Sequence, residues 1–269
     1  MKPDKISVVI FFALSYALAW SVWIPLGQYA PQHYYLVLLG AFAPSIAALA
    51  VTAFSSGREG IRKLLSKCVL WQVPISNYFF AVFGFLGIVL LAIGMSHLFF
   101  DATWITSLEL AQQFGLPEEQ PALFYVYAPL IFLTTFIGGP VAEELGWRGF
   151  AQPHLQRWLH PGISGAVIGL VWSLWHLPLF FFFPRAVAGL PLGHYIPIVT
   201  ALGVLFSWLY NRSKGSVLLS IILHAGVNFG FGIFSAARDP DDLTQLHALV
   251  VIVGLTAFVL GTNTRKYQG

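Results

Sequence analysis

Eight apolar stretches dominate the sequence, and each is long enough to cross a membrane. A helix that spans ~30 Å of hydrocarbon needs about 20 apolar residues. The stretches cover residues 6–26, 35–54, 77–100, 122–142, 163–183, 191–210, 216–235 and 245–262. Inside a bilayer every backbone polar group must be satisfied within the protein, so such stretches fold as helices. The sequence therefore predicts an all-α fold, a polytopic membrane bundle of eight transmembrane helices, as one domain over residues 1–269.

The composition agrees with a membrane environment. The chain is 57% hydrophobic and only 9% charged, whereas an ordinary soluble domain is about 25% charged. Lys2 and Lys5 precede the first stretch, as they would in a signal peptide, but its apolar region exceeds the usual ~7–15 residues, so we predict a true span. The net charge is only +3, and we find no clustered basic and aromatic face. We therefore expect no nucleic-acid partner.

Lysine and arginine are distributed unevenly between the two ends of the predicted bundle. One end receives 12 of the 14 basic residues: Lys2, Lys5, Arg58, Arg62, Lys63, Lys67, Arg148, Arg157, Arg212, Lys214, Arg265 and Lys266. The other end receives only Arg185 and Arg238. Because cytoplasmic loops are enriched in Lys and Arg, we assign the basic end and both termini to the cytoplasm. We expect an integral protein of a prokaryotic plasma membrane.

Two connecting segments differ in character. The segment from Arg58 to Val73 interleaves four basic residues with apolar ones, which predicts an amphipathic helix on the inner leaflet. A plain solvated connector is the alternative. The segment from Asp101 to Gln120 contains acidic but no basic residues, and nothing in it suggests chemistry.

Ionisable side chains interrupt three predicted spans, where their burial costs several kcal/mol unless they are paired. The first cluster, residues 142–150, contains Glu143, Glu144 and Arg148 at the end of the fourth stretch. Adjacent helical residues point about 100° apart, so the two carboxylates face different surroundings. An i, i+4 ion pair between Glu144 and Arg148 would free Glu143 to face a cavity as a base or a ligand. The alternative is that both acids are charges at a helix end.

The other two clusters contain histidine. His176 lies within residues 172–178 of the fifth stretch, and a lone histidine there could be a packed, hydrogen-bonded residue. His224 and Asn228 in the seventh stretch share one helix face, which would also suit a hydrogen-bonding pair between helices. The occurrence of all these polar groups in so apolar a chain favours a functional site.

Two small-xxx-small motifs occur in the histidine-bearing spans, Gly165 to Gly169 and Gly226 to Gly230. Such motifs allow close approach of helix backbones. We expect them to bring the fifth and seventh spans together.

These residue types suit hydrolysis in either of two ways. In one scheme Glu143 and His176 hold and deprotonate a water, while His224 and Asn228 stabilise the oxyanion, with no metal. In the other, Glu143, His176 and His224 bind Zn²⁺ and leave a position for a metal-bound water. The chain lacks an HExxH motif, so a metal site would have to be assembled from three helices.

The order EExxxR, aromatic-xxx-His and HxxxN on three spans resembles the CAAX-protease and bacteriocin-processing family of intramembrane peptidases. This family includes type II CAAX prenyl endopeptidases and lysostaphin-resistance type proteins. The motifs match as Glu143, Glu144 and Arg148, then His176, then His224 and Asn228. The second motif usually opens with Phe, and the Trp172 of this chain keeps an aromatic ring. The resemblance covers residues 122–250, which we regard as the peptidase core.

The resemblance implies a peptide or protein substrate, with lipidated peptides among the candidates, in contact with membrane lipids. Members have been described as metalloproteases and as glutamate-dependent enzymes, so both schemes stay open. A transporter or ion pathway, and a non-catalytic membrane immunity or scaffold protein, would also bury Glu and His.

The predicted span ends place two site residues, which should lie close together, at different depths in the membrane. Glu143 falls near the cytoplasmic edge of the fourth stretch, whereas His176 lies ~20 Å along the fifth, counted from Ile163. Tilt, or a fifth helix that begins above the membrane near Pro161, would bring them level. We expect the active site to open toward the cytoplasmic half.

Overall fold

The computed structural model describes residues 3–239 and 242–266. Lys2, which was counted with the basic end, lies outside these residues. The α-helices, in chain order, are α1 Pro3–Tyr29, α2 Val37–Ala41, α3 Ala43–Ser66, α4 Ile75–Phe100, α5 Ser107–Gln113, α6 Leu123–Thr134, α7 Gly139–Glu144, α8 Gln152–Leu155, α9 Pro161–Trp175, α10 Leu177–Phe182, α11 Leu192–Arg212, α12 Val217–Ala237 and α13 Thr244–Thr262. Short 3₁₀ helices cover Pro31–Leu36, Lys67–Val69 and Pro184–Val187, and a π-helix covers Leu145–Ala151.

These helices form eight segments long and apolar enough to span a membrane. No β-strand occurs in the described part of the chain. The predicted all-α bundle of eight spans is therefore confirmed. The connections alternate between two ends of the bundle. The basic end carries the links after residues 66, 155 and 212, and the basic-poor end carries those after residues 29, 100, 182 and 237.

The first span is an integral part of the bundle. Its Phe11 and Trp23 side chains are fully buried. Three hydrogen bonds tie it to the fifth span: the Tyr16 hydroxyl donates to the Val171 carbonyl at 2.6 Å, the Trp20 indole to the Trp175 carbonyl at 2.9 Å, and the Trp175 indole to the Ser15 carbonyl at 3.0 Å. Polar links of this kind hold membrane helices in register.

The predicted amphipathic helix is present but shorter than expected. Gly57 has φ +61° and ψ −155°, so it separates the membrane-spanning part of α3 from a short helix that continues to Ser66. The 3₁₀ helix that follows ends at Val69 rather than at Val73. Leu64 is buried, and the Lys67 ammonium donates to the Gly149 carbonyl at 2.8 Å. The segment therefore packs on the protein as well as facing outward.

The fourth span does not end at residue 142 as predicted. Its apolar segment runs from Leu123 to Leu155, and all seven residues of the π-helix are buried. The polar residues Glu143 to Arg148 lower the hydropathy, so the predicted span stops before them. The helix continues because these side chains are hydrogen-bonded or paired inside the bundle. Arg148 is consequently an interior residue and does not belong to a basic loop.

The expected role of the small-xxx-small motifs is also wrong. A Cβ at Gly165 or Gly169 would meet α11 backbone near Gly203 and Val199, each with a nearest atom at 2.6 Å. A Cβ at Gly226 would meet the Ala81 carbonyl of α4 at 2.6 Å. The fifth span therefore packs closely on the sixth, and the seventh on the third. The motif allows close approach but does not specify the partner helix.

Candidate active site

A glycine turn directs the first motif into the bundle. Gly138 adopts φ +107° and ψ −123°, a conformation that residues with a Cβ rarely adopt. Helix α7 begins immediately after this turn, with Pro140 in its first turn. Glu143 and Glu144 follow on α7, and the chain then widens into the π-helix. Single-turn π-helical insertions are frequent at functional sites because they reorient side chains within a helix.

Two indole groups fix the carboxylate of Glu143, which is 3% exposed. The Nε1–H groups of Trp147 and Trp172 both donate to its Oε2 atom, at 3.2 and 2.6 Å. The other oxygen, Oε1, lies 2.8 Å from the position that a Cβ on Gly139 would occupy. His224 Nε2 lies 3.2 Å from the same position. One oxygen of Glu143 is therefore anchored, and the other lies beside the His224 ring.

Glu144 connects the first and third motifs. Arg148 Nη1 donates to its two carboxylate oxygens at 2.9 and 3.1 Å, so the predicted i, i+4 ion pair is present. His224 Nδ1 lies 2.8 Å from Glu144 Oε1. A carboxylate can only accept, so Nδ1 carries the hydrogen in this contact. Glu144 thus orients His224, a link that the sequence did not predict.

The Arg148 guanidinium is fully buried between two aromatic rings. Its Cζ lies 3.9 Å from the Phe206 ring centroid and 4.8 Å from that of Trp172. Its Nε and Nη2 atoms have no hydrogen-bond partner among the described residues. Cation–π attraction and the Glu144 carboxylate together compensate the burial of this charge.

His176 is held by the backbone of its own helix. Its Nδ1 atom lies 2.8 Å from the Trp172 carbonyl oxygen. Because a carbonyl only accepts, Nδ1 carries the hydrogen and Nε2 of the neutral ring keeps a lone pair. Trp172 therefore contacts two of the predicted site residues, with its indole on Glu143 and its carbonyl on His176.

One cavity of about 370 Å³ brings the predicted residues together. Glu143, His176, His224 and Asn228 all line it, while Glu144 and Arg148 do not. The i, i+4 spacing of His224 and Asn228 places both on the cavity face of α12, as predicted. Glu144 and Arg148 lie behind this wall as partners of His224.

The longer fourth span resolves the conflict in depth. Glu143 lies 12 residues before Leu155, and His176 lies 15 residues after Pro161. At ~1.5 Å per residue these positions are roughly 18 and 22 Å from the basic ends of their spans, so the two side chains lie at similar depth. Glu143 therefore does not lie at the end of its span.

The cavity extends from the candidate site toward the basic-poor end of the bundle. Its lining extends from Glu143 to residues of the basic-poor connections, among them Tyr34, Gln113 and Arg185. No residue from the connections at the basic end lines it. The expected opening toward the cytoplasmic half depends on which end of the bundle faces the cytoplasm, and it stays a prediction.

The three side chains named as zinc ligands do not form a metal site in this arrangement. Among residues 3–239 and 242–266, no three His, Cys, Asp or Glu side chains are grouped closely enough to hold a metal ion. One oxygen of Glu143 is also occupied by two indole donors. Glu143, His176 and His224 therefore do not fit the His₂Glu shell of a catalytic zinc.

The sequence analysis missed Trp147 and Gln113 as residues of this site, and it missed the contact of Trp172 with Glu143. Trp147 and Trp172 anchor Glu143, and Gln113 of α5 lines the cavity although its segment suggested no chemistry. For Trp172 a signal was available, because an indole in place of the usual Phe adds an N–H donor beside buried carboxylates. Gln113 carried no such signal in its local sequence.

Comparison with known proteins gives the same assignment as the motifs. Residues 125–230 match the family model for type II CAAX prenyl endopeptidases, Rce1-like. The CAAX prenyl protease 2 of Methanococcus maripaludis is 23% identical over 253 residues, which cover 87% of this chain and 88% of that relative. All three motifs lie within the matched residues. The resemblance inferred from the motifs is confirmed, since the matched residues 125–230 are similar to the Rce1-like type II CAAX prenyl endopeptidases.

Proposed function

We propose that this protein is an intramembrane endopeptidase in which Glu143 activates the attacking water. The orientation of the Glu143 carboxylate carries the proposal. Two indole donors hold Oε2, so Oε1 is the oxygen left to accept a proton from a water in the cavity. A general base must lie within hydrogen-bonding reach of the proton that it takes. The water oxygen attacks the scissile carbonyl carbon, and Glu143 then passes the proton to the leaving amine.

His176 is assigned to hold this water. Its Nδ1 hydrogen is engaged by the Trp172 carbonyl, so Nε2 can accept a hydrogen bond from the water. A water that donates to Glu143 and to His176 keeps its lone pair directed at the substrate. His176 and Glu143 line the same cavity at similar depth, which supports this pairing.

His224 and Asn228 are assigned to the oxyanion that forms on the carbonyl oxygen. The Asn228 amide offers N–H donors, and His224 offers Nε2–H when it carries both ring protons. Glu144 accepts the Nδ1 hydrogen of His224, and Arg148 holds Glu144 in place. This buried chain of contacts holds the His224 ring in place at the cavity wall.

The first substrates to test are short membrane-anchored peptides. The name of the archaeal relative, CAAX prenyl protease 2, supports a prenylated peptide as one of them. The cavity lining includes apolar side chains such as Val37, Leu179 and Leu202 beside its polar ones, and these suit an apolar part of such a peptide. We therefore propose a membrane-proximal peptide bond as the point of cleavage.

The test is cleavage of matched lipidated and unlipidated peptides by purified protein in detergent. We expect Glu143→Gln to lower the cleavage rate by about 10²–10⁴-fold, the usual contribution of a general base. Glu118→Gln is the matched control, because Glu118 is an exposed acid in the connection between α5 and α6. Equal rates for wild type and Glu143→Gln would refute the proposal and favour a transporter or scaffold.

Metal content and chelator sensitivity are measured on the same samples. With a glutamate-activated water, activity persists after chelation and does not follow the metal content. Stoichiometric metal, together with loss of activity on chelation and recovery on adding zinc back, would require the side chains of Glu143, His176 and His224 to regroup around an ion.

A further inference from the structure

A second concave surface lies at the basic end of the bundle, where the third span begins. It is an open groove of about 560 Å³ lined by Trp71, Gln72, Val73, Pro74, Ile75 and Tyr78. None of these residues lines the cavity at Glu143. Trp71 and Ile75 are 64% and 82% exposed, and the Tyr78 hydroxyl donates to the Trp71 carbonyl at 2.7 Å. The groove, which we call the α4 groove, therefore offers apolar and aromatic surface at the end of a span, where lipid headgroups and chains meet.

Arg212, at the end of α11, is held next to the α4 groove by Asn77. The Arg212 Nε donates to Asn77 Oδ1 at 3.0 Å, and Asn77 Nδ2 donates to the Arg212 carbonyl at 3.3 Å. Asn77 is fully buried, and it lies between the groove residues Ile75 and Tyr78 in the first turn of α4. This pair of hydrogen bonds fixes the base of the guanidinium relative to the groove.

The outer nitrogens of this guanidinium are not used by the protein. The Arg212 side chain is exposed, and its Cζ lies 5.5 Å from the centroid of the Trp208 ring. Among residues 3–239 and 242–266, no side chain accepts from Nη1 or Nη2 and no carboxylate pairs with Arg212. A guanidinium that is fixed at Nε and at one ring face presents two parallel N–H donors, the arrangement that binds a phosphate in bidentate fashion.

The charge around the groove is positive and lacks a nearby acid. Lys214 is exposed two residues after Arg212. The Ser216 hydroxyl donates to the Leu70 carbonyl at 2.6 Å, so the turn that contains Lys214 lies against the segment that begins the groove. Residues 69–80 and 205–220 contain no Asp or Glu. The local field therefore attracts an anion.

We propose that this site binds an anionic phospholipid, with the lipid phosphate on the Nη groups of Arg212 and an acyl chain in the α4 groove. A free phosphate would satisfy Arg212 but leave the apolar groove empty. An uncharged lipid would fill the groove but leave Arg212 unpaired. Only a lipid that carries negative charge complements both parts. The site is separate from Glu143, so it depends neither on the proposed peptidase function nor on which end of the bundle faces the cytoplasm.

The test is the melting temperature of the purified full-length protein in detergent, measured with increasing amounts of four probes. These are dioleoylphosphatidylglycerol, dioleoylphosphatidylcholine, dioleoylglycerol and sodium phosphate. A ligand that binds only the folded protein raises the melting temperature with its concentration. We expect the largest rise with phosphatidylglycerol. No rise with it, or an equal rise with all three lipids, would overturn the proposal, and an equal rise with sodium phosphate would overturn the lipid as the occupant.

Arg212→Gln tests the phosphate contact. We expect the affinity for phosphatidylglycerol, titrated by native mass spectrometry, to fall about 10–100-fold, the equivalent of losing a hydrogen bond to a charged group. Arg58→Gln is the matched control, because Arg58 is an exposed arginine of the basic end that lies outside the groove. An equal loss in both variants would mean that the lipid responds only to the overall charge, which would overturn the site.

Ile75→Glu tests the groove without removing Arg212 or its contact with Asn77. Ile75 is the first residue of α4 and is largely exposed, where an acidic side chain suits the start of a helix, so we expect the variant to fold. Its negative charge would repel the lipid headgroup and its carboxylate would not accommodate an acyl chain. We expect weaker binding of phosphatidylglycerol, and unchanged binding would overturn the assignment of the groove.

Discussion

At the scale of single residues, Glu143 owes its orientation to two tryptophans that lie on different helices. Trp147 is four residues away along the same helical segment, whereas Trp172 belongs to α9. The shorter bond, at 2.6 Å, comes from the more distant residue in the sequence. A hydrogen bond to a charged group contributes about 1.5–3 kcal/mol, so each indole contributes to fixing the Glu143 carboxylate.

We predict that Trp172→Phe lowers kcat by roughly 10–100-fold, the rate equivalent of losing one such bond. Phe keeps an aromatic ring against Arg148 and leaves the backbone carbonyl that holds His176, but it removes the N–H donor to Glu143. The family motif usually has Phe at this position, so the variant tests whether this chain depends on its indole. The measurement is steady-state cleavage of the best peptide substrate, with kcat and KM determined separately.

Trp147→Phe is the comparison, because its indole donates to the same oxygen at the longer distance of 3.2 Å. We expect a smaller decrease in kcat and an unchanged KM. A rise in KM without a change in kcat for Trp172→Phe would contradict a role in orienting the base. Melting temperatures of both variants report separately on loss of packing.

The residue contacts that the sequence predicted are those within one helix. Glu144 and Arg148, and likewise His224 and Asn228, are i, i+4 pairs whose proximity follows from helix geometry alone. The contacts of Glu143 with Trp172 and of Glu144 with His224 join residues 29 and 80 positions apart. Such contacts depend on which helices pack together, and hydropathy contains no information about that.

At the scale of elements, the π-helix requires close approach to α3. A Cβ on Gly146 would lie 2.5 Å from the backbone carbonyl carbon of Pro44. One turn earlier, the Ser45 hydroxyl donates to the Ala142 carbonyl at 2.5 Å. The segment that carries Glu143, Glu144 and Arg148 is thereby held against the start of the membrane-spanning part of α3.

We predict that Gly146→Ala destabilises the protein by about 1–3 kcal/mol, the usual cost of overpacking, because backbone atoms cannot move aside as a flexible side chain can. Gly87→Ala is the matched control, since a Cβ at Gly87 in α4 meets no atom within 4 Å. The measurement is the melting temperature in detergent, followed by residual peptidase activity. An equal melting temperature for both variants would show that α3 and the π-helix can move apart without loss of stability.

Elements were predictable where apolar residues are continuous. Six of the eight predicted stretches agree with the observed spans to within a few residues, because ~20 apolar residues must cross the hydrocarbon. The second agrees as far as the kink at Gly57, beyond which its helix continues. The end of the fourth span was not predictable by hydropathy, because its continuation from Glu143 to Leu155 depends on partners from α9 and α12. The partners of the glycine motifs were not predictable either, since Gly165 and Gly226 each allow close contact with any small helix surface.

At the scale of the whole molecule, the cavity has an apolar side as well as an aqueous mouth, which lies at the exposed side chains of Gln113 and Arg185. Leu38 at the start of the second span and Ile137 in the fourth are 40% and 73% exposed, and both also line the cavity. The Leu38 side chain lies 2.8 Å from the position of a Cβ on Gly138. We call the surface formed by Leu38, Ile137 and Gly138 the seam. It lies where a membrane-anchored peptide could enter from the lipid.

We predict that Ile137→Trp slows cleavage of a membrane-anchored peptide several-fold while cleavage of a short water-soluble peptide is unchanged. The larger ring would narrow the seam, whereas the aqueous mouth near Gln113 and Arg185 stays open. Both peptides carry the same cleavage sequence, so the chemistry at Glu143 is common to them. The measurement is the ratio of the two kcat/KM values for the variant and the wild type.

Leu39→Trp is the control, because Leu39 is 59% exposed on the same helix as Leu38 but does not line the cavity. It adds the same ring to the apolar surface without narrowing the seam, so the ratio should stay at the wild-type value. Equal slowing of both peptides by Ile137→Trp would mean that the ring has entered the cavity itself. An unchanged ratio would mean that anchored substrates enter through the aqueous mouth, and residues near Arg185 rather than the seam would then determine which peptides reach Glu143.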